Sequence, residues 1–334
     1  MNYIGSKLKL SPFIKETICA VAGKDLSQKV FCDLFAGTGI VGRVFKKEVR
    51  QVISNDCEYY SYVLNKNYIE NHKRLDFRKY IDGLNGVKPI ETGFIYKNYC
   101  LGSGSKRQYF SDDNGKKIDA VRQKIETWSS NKEISKNLYY FLLSSLLEAA
   151  DKVANTASVY GAFLKKLKKS AQKKIFLEPA MFDLNANEHK VYNKDANSLI
   201  KTISGDILYL DPPYNERQYG ANYHLLNTIA KYDDFIPKGK TGLRDYERSS
   251  YCVKKGVAKE FGDLIENAKF KYIFLSYNNE GLMSPKDIKA IMSKYGKYGV
   301  AKQRYQRFKA DKTENRNHTA VSTQEYLHIL QKNK

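Results

Sequence analysis

The stretch from Lys29 to Asp56 constrains the fold more than any other part of the chain. A short apolar run, KVFCDLF at 29–35, ends in the glycine-rich turn Ala36-Gly37-Thr38-Gly39. Helical spacing follows over 40–48, and a second apolar run, QVISN at 51–55, closes on Asp56. Strand, glycine turn, helix, strand in such quick succession is the opening of a doubly wound α/β sheet.

Around this opening the pattern predicts a helix over 11–22, with Ser11 as N-cap and Pro12 at its first position, and another over 57–71. Residues 83–117, rich in Gly, Asn, Lys and Tyr, read as loop and turn. Helices are expected at 118–130 and 133–155, the latter with an apolar stripe of Leu138, Phe141, Leu142, Leu146 and Ala149. KKLKK at 165–169 reads as a solvated helix face rather than a groove reader. Alternation resumes near 190: a strand at 206–210, a helix at 221–231, a strand at 271–276, a helix after Ser284-Pro285 and a strand pair near 300–308 and 325–330. The middle segment therefore looks inserted into one sheet domain, which gives 1–75 with 190–334 as one domain and 76–189 as an insert.

Hydrophobic residues make up 42% of the 334, enough for a sizeable core and too many for a disordered chain. Lysines 7, 9 and 15 break up any leader-like stretch, and the apolar run 138–147 is too short to span a bilayer, so a soluble, cytoplasmic protein is expected. Five cysteines, an odd number without a C-x-x-C pair, argue for reduced thiols and against a structural metal site. A net charge of +21 favours a polyanionic partner. The charge is nearly even along the chain but densest over 285–334, where 12 basic residues face 4 acidic ones.

The sharpest chemical signal is Asp211-Pro212-Pro213-Tyr214, directly after the apolar run DILYL. That placement puts it at the carboxyl edge of a parallel sheet, where α/β proteins bind ligands. An exocyclic aromatic amine is a poor nucleophile, because its lone pair is delocalised into the ring. A carboxylate (Asp211) and a backbone carbonyl (that of Asp211 or Pro212) accepting its two N–H bonds would aim the lone pair at a methyl donor. The prolines stiffen the turn, and Tyr214 offers a flat face to an unstacked base. The acid Asp33, ahead of the Gly37–Gly39 turn, suits a ligand carrying an amino group better than one carrying phosphates. Asp56, ending the second strand, can accept from ribose hydroxyls.

In this order, Tyr3-Ile4-Gly5-Ser6-Lys7, Asp33–Gly39, Asp56, Asp195-Ala196 and Asp211–Tyr214 resemble the Dam-like, alpha-group DNA adenine N6-methyltransferases. The resemblance covers about 1–75 and 190–334. It implies a class I, Rossmann-like methyltransferase fold with a mixed seven-stranded sheet, S-adenosylmethionine as cofactor, and double-stranded DNA as substrate. It implies that Tyr3 and Lys7 lie near the methionine end of the cofactor, that Phe35, Ala36, Gly37, Thr38 and Gly39 wrap it, and that Asp56 binds its ribose. Asp195, with Ala196, would lie at its adenine, and Asp211–Tyr214 would hold a flipped-out target adenine. Asn215, Arg217, Asn222, Arg304, Arg307, Lys312 and Arg316 are expected near DNA. The insert becomes a target-recognition region whose DNA sequence is left undetermined. A restriction–modification role with an endonuclease counterpart, a monomer or weak dimer, and no metal complete the expectation. The rivals are an RNA adenine methyltransferase, a protein glutamine methyltransferase (whose motif carries Asn in place of Asp211) and an inactive DNA-binding module.

Overall fold

A computed structural model describes residues 7–306 and 322–333. In chain order the elements are α1 (Ser11–Ala22), β1 (Val30–Asp33), α2 (Ile40–Phe45), β2 (Gln51–Asn55), α3 (Tyr59–Asn65), α4 (Arg78–Gly86), α5 (Phe94–Tyr99), α6 (Asp112–Ser130), α7 (Lys136–Val153), β3 (Lys190–Tyr192), α8 (Ala196–Ile200), β4 (Ser204–Leu210), α9 (Tyr219–Asn222), α10 (His224–Lys231), α11 (Val257–Asn267), β5 (Lys269–Asn278), α12 (Pro285–Met292), β6 (Gly296–Gln306) and β7 (Ser322–Lys332). Among the described residues no helix is long and apolar enough to cross a membrane.

The chain divides into two compact units, and of the described residues those within 7–65, 185–218, 248–306 and 322–333 form the sheet unit. Its seven strands run in the order β3-β2-β1-β4-β5-β7-β6. The first five are parallel, and β7 inserts antiparallel between β5 and β6. This is the class I methyltransferase arrangement. The order reverses between β1 and β4, so the carboxyl ends of those two strands flank the crevice where such sheets bind ligands. On one face Cys32, Leu208, Leu210, Ile273, Leu275 and Leu330 pack under α8, α11 and α12. On the other, Phe31 stacks on Phe45 of α2 at 4.2 Å. Both faces are covered, which is why β1 is buried along its whole length instead of alternating.

Residues 66–184 and 219–247 belong to the helical unit. Two buried charges on α6 tie it together. Asp119 accepts from the Ile95 and Tyr96 backbone N–H groups at the start of α5 and from the Tyr232 hydroxyl. Arg122 donates to the Ile229 and Ala230 carbonyls at the end of α10. Each charge meets the helix end of opposite polarity, where orphan backbone groups await partners.

The elements depart from expectation at several points. Leu10, not Ser11, is the N-cap of α1, and Ser11 donates to the Leu8 carbonyl instead. The expected loop 83–117 holds α5 and the first turn of α6, which Ser111 caps by accepting from Asn114 N. There a Cβ on Gly115 would lie 2.2 Å from Cys100 Sγ, so only glycine allows the approach. The segment 219–247, read as part of the sheet domain, folds with the helices: His224 of α10 packs among Tyr99 and Tyr109 and is buried. Such contacts across the unit leave no local periodicity.

KKLKK is not helical. It lies in a long loop, 154–184, fastened by buried asparagines. Asn155 donates to the Gln108 and Leu164 carbonyls and accepts from Lys168 N; Asn114 donates to the Ala171 and Lys173 carbonyls and accepts from Ile175 N. Asn85 closes a two-way pair with the Leu177 backbone, and Asn67 donates to the Ala180 carbonyl.

Candidate active site

The turn after β1 is built from both of its neighbours. Asp33, 1% exposed, accepts from Gly42 N at 3.2 Å through Oδ2, while its Oδ1 is buried and has no partner among the described residues. Leu34 N donates to the Tyr209 carbonyl of β4, and Ala36 N to the Asn55 carbonyl of β2. Gly37 and Gly39 adopt φ of 52° and 76°, conformations that favour glycine. From α3, the Ser61 hydroxyl and the Asn65 amide both donate to the Gly37 carbonyl, the latter at 3.0 Å. Asp56 accepts from Gly37 N at 2.8 Å and from Glu58 N at 2.9 Å. It therefore shapes the turn as well as ending β2. Asn55 reaches the other way, donating to the Leu34 and Lys194 carbonyls and accepting from Lys194 N. Just beyond, Asp195 caps α8 by accepting from Ser198 N, and Ala196 is buried. Thr38 is half-buried on the turn, and Phe35 meets Tyr251 edge-on at 5.1 Å.

Asp211 to Tyr214 follows β4 at the same edge. Lys7 Nζ lies 2.9 Å from Asp211 Oδ1, with side-chain exposures of 8% and 20%. Pro212 is buried and Pro213 half-buried, and the Tyr214 carbonyl accepts from Leu282 N at 2.9 Å, fixing the turn against the segment before α12. Asn215 Oδ1 accepts from Arg217 N at 3.0 Å, closing a local turn.

Three aspartates and one lysine set the electrostatics. Burial, reinforced by the Asp211 charge, pushes the Asp33 carboxyl up to about 8. Burial also raises Asp211, against which Lys7 pulls it back down, and it raises Asp56. Burial pulls the Lys7 ammonium down, but Asp211 and then Glu325 outweigh it and hold the group above its ordinary value.

The sheet unit thus brings Lys7, Asp33, Phe35–Gly39, Asp56, Asp195, Ala196 and Asp211–Tyr214 to one edge, with Asn215 and Arg217 following. Asn222 belongs to the helical unit, where its carbonyl accepts from Tyr160 N. Arg304 stands opposite Gln324 in the β6–β7 ladder. Tyr3, Arg307, Lys312 and Arg316 lie outside the described residues. Sequence reasoning missed Asn55, Ser61, Asn65 and Glu325. Ser61 and Asn65 carried a readable sign, polar residues four apart on a helix face that must be buried.

Residues 3–291 match the family of D12 class N6 adenine-specific DNA methyltransferases. The type II methyltransferase M.NlaIII of Neisseria lactamica is 66% identical over 333 residues, 99% of each chain. The type II methyltransferase M.CviAII of Paramecium bursaria Chlorella virus 1 is 40% identical over 93% of each. M.FokI of Planomicrobium okeanokoites is 40% identical over 99% of this chain but only 53% of its own. With the seven-stranded topology and the Asp-Pro-Pro-Tyr turn at its edge, these similarities show that the chain belongs to the D12 class of N6 adenine-specific DNA methyltransferases, enzymes that take their methyl group from S-adenosylmethionine.

Proposed function

We propose that methyl transfer to the adenine N6 amine is carried out at the carboxyl edge of β1 and β4, by Asp211-Pro212-Pro213-Tyr214 and the turn 33–39. The observation that carries this reading is the stiff Asp211 turn, with its carboxylate paired to Lys7 at 2.9 Å. Lys7 engages Oδ1, which leaves Oδ2 and the Pro212 carbonyl as acceptors for the two N–H bonds of the amine. So held, the nitrogen lone pair points out of the ring plane, and the positive charge that develops on nitrogen meets a carboxylate whose ionised form Lys7 favours against burial. Positioning and electrostatics suffice, with no covalent enzyme intermediate. Tyr214 gives the base a face to stack on. The amine is paired in duplex DNA, so the adenine must leave the helix to reach it.

S-adenosylmethionine, when bound, supplies an electrophilic methyl on a sulfonium sulfur. The residues present fit it. Asp33 Oδ1, buried and unpartnered among the described residues, is an acceptor suited to the amino group of the methionine end. The left-handed turn of Gly37 and Gly39 lets backbone approach closely, Phe35, Ala36 and Thr38 line it, and Lys7 would close its methionine side. Asp56 would accept from ribose hydroxyls, and Asp195 with Ala196 would lie at the adenine.

The helical unit serves target recognition, and its pinned loop contacts phosphate. From 153 to 177 the chain holds no acidic residue, and Lys165, Lys166, Lys169, Lys173 and Lys174 are exposed and make no ion pair among the described residues. A loop fastened by buried asparagines cannot spread these charges apart, which favours a polyanion across from them. Asn215, Arg217, Asn222, Arg304, Arg307, Lys312 and Arg316 are further candidates for DNA contact. The type II names of the relatives point to a restriction endonuclease counterpart, and a monomer or weak dimer acting in the cytoplasm would suffice.

Single-molecule sequencing of host genomic DNA, from cells carrying the intact gene or Asp211→Ala, tests the site. N6-methyladenine at one short motif, lost in the variant while cofactor binding persists, is the expected result. Methylation surviving in Asp211→Ala would refute the assignment. No modified adenine in an expressing strain would turn attention to RNA or to an inactive binder.

A further inference from the structure

A further carboxylate, that of Glu325, stands at the same edge, and the chemistry above leaves it without a task. Asp33 pairs with Tyr209 across β1–β4, and Tyr209 with Phe274 across β4–β5. Side chains alternate along a strand and cross-strand partners share a face, so Asp211 lies on the face of Asp33, Tyr209, Phe274, Ser276 and Asn278. Asn278 pairs in turn with Glu325 of β7. Asp33, Asp211 and Glu325 therefore project to one side of the sheet at one end. Adjacent strands are about 4.8 Å apart and residues rise about 3.3 Å each, so Glu325, two strands from Asp211 and two residues farther along, lies about 12 Å from it backbone to backbone. Lys7 stands beside this row, paired with Asp211, and among the carboxylates that act on it Asp211 comes first and Glu325 next. Glu325 is half-buried, and burial raises its carboxyl while Lys7 lowers it.

We propose that Glu325 is a positioning residue for methyl transfer: the second counter-charge that holds the Lys7 ammonium when the adenine amine engages Asp211. The inference rests on the reading of Asp211 as the amine acceptor. That carboxylate has two claimants, the lysine and the amine. With Asp211 as its only anion, a mostly buried ammonium draws electron density from the oxygens the amine must use. A second carboxylate on the neighbouring antiparallel strand divides that attraction and keeps Lys7 in place without committing Asp211 to it. The antiparallel β7 is what makes this possible, since its first residues lie at the edge where the parallel strands end.

The test is a double-mutant cycle of Glu325→Gln with Lys7→Met, read by single-turnover methylation of a DNA duplex and by S-adenosylhomocysteine affinity. Glu325→Gln is expected to slow methyl transfer about tenfold with cofactor affinity unchanged, to recover partly as Glu325→Asp, and to add little in the Lys7→Met background. An unchanged rate, an equal loss in the Lys7→Met background, or joint loss of cofactor binding would each overturn the role. Titration of the Lys7 side chain by NMR separates this idea from the broader one. The Lys7 pKa should fall in Glu325→Gln and recover in Glu325→Asp even if the wild type methylated no adenine, and an unmoved Lys7 would overturn the proposal by itself.

Discussion

Alanine at Gly39 would impose two costs at the residue where the cofactor turn becomes helix α2. Its φ of 76° is left-handed, which costs a residue with a Cβ about 1–2 kcal/mol. The added Cβ would also lie 2.6 Å from Asn65 Oδ1, and that oxygen cannot simply swing away. It accepts from the Ser54 hydroxyl at 2.8 Å, while the same amide donates to the Gly37 and Ser61 carbonyls. Displacing it leaves a buried polar group unpaired, about 1–3 kcal/mol more. The sum, roughly 3 kcal/mol, should lower the melting temperature of the sheet unit by roughly 10 °C and weaken binding of S-adenosylhomocysteine, because the turn must open. Removing the obstacle tests the cause: Gly39→Ala combined with Asn65→Ala should cost less than the two single changes added together, by about 1–3 kcal/mol. Thermal scans and cofactor titrations of the four proteins would measure this. A Gly39→Ala protein that melts and binds like the wild type, or strictly additive costs, would refute the claim that Asn65 sets the turn.

The Asp33 carboxyl, raised to about 8, is protonated at neutral pH in the free protein and must ionise to receive an ammonium. S-adenosylhomocysteine affinity should therefore rise about tenfold per pH unit up to pH 8 and then level off, with proton release on binding below it. A flat profile by calorimetry, or the same profile in Asp33→Asn, would contradict this. Changing Lys165, Lys166, Lys169, Lys173 and Lys174 to Gln should make the salt dependence of DNA binding shallower by about 0.9 per lost phosphate contact, with cofactor affinity unchanged. An unaltered slope would mark the loop as merely solvated.

Much of this protein could be read from its sequence, because the informative features are local. Strand β1, the Gly37–Gly39 turn, β2 and Asp56 follow from short-range periodicity and from the backbone freedom only glycine offers. The Asp211–Tyr214 turn announces itself by following an apolar strand, and these motifs, in their order, resemble those of the family. Tertiary structure decided what depends on residues far apart in the chain. The pairing of Lys7 with Asp211 joins positions that no window spans. The membership of 219–247 in the helical unit rests on His224 among distant tyrosines, and the fixed course of 154–184 on asparagines from α4, α6 and the segment around Asn67. Glu325 looks in sequence like an ordinary strand-end acid. Only the antiparallel insertion of β7 beside β5 carries it to the edge where Asp33 and Asp211 stand, since register across a sheet is a property of pairing and not of any one strand.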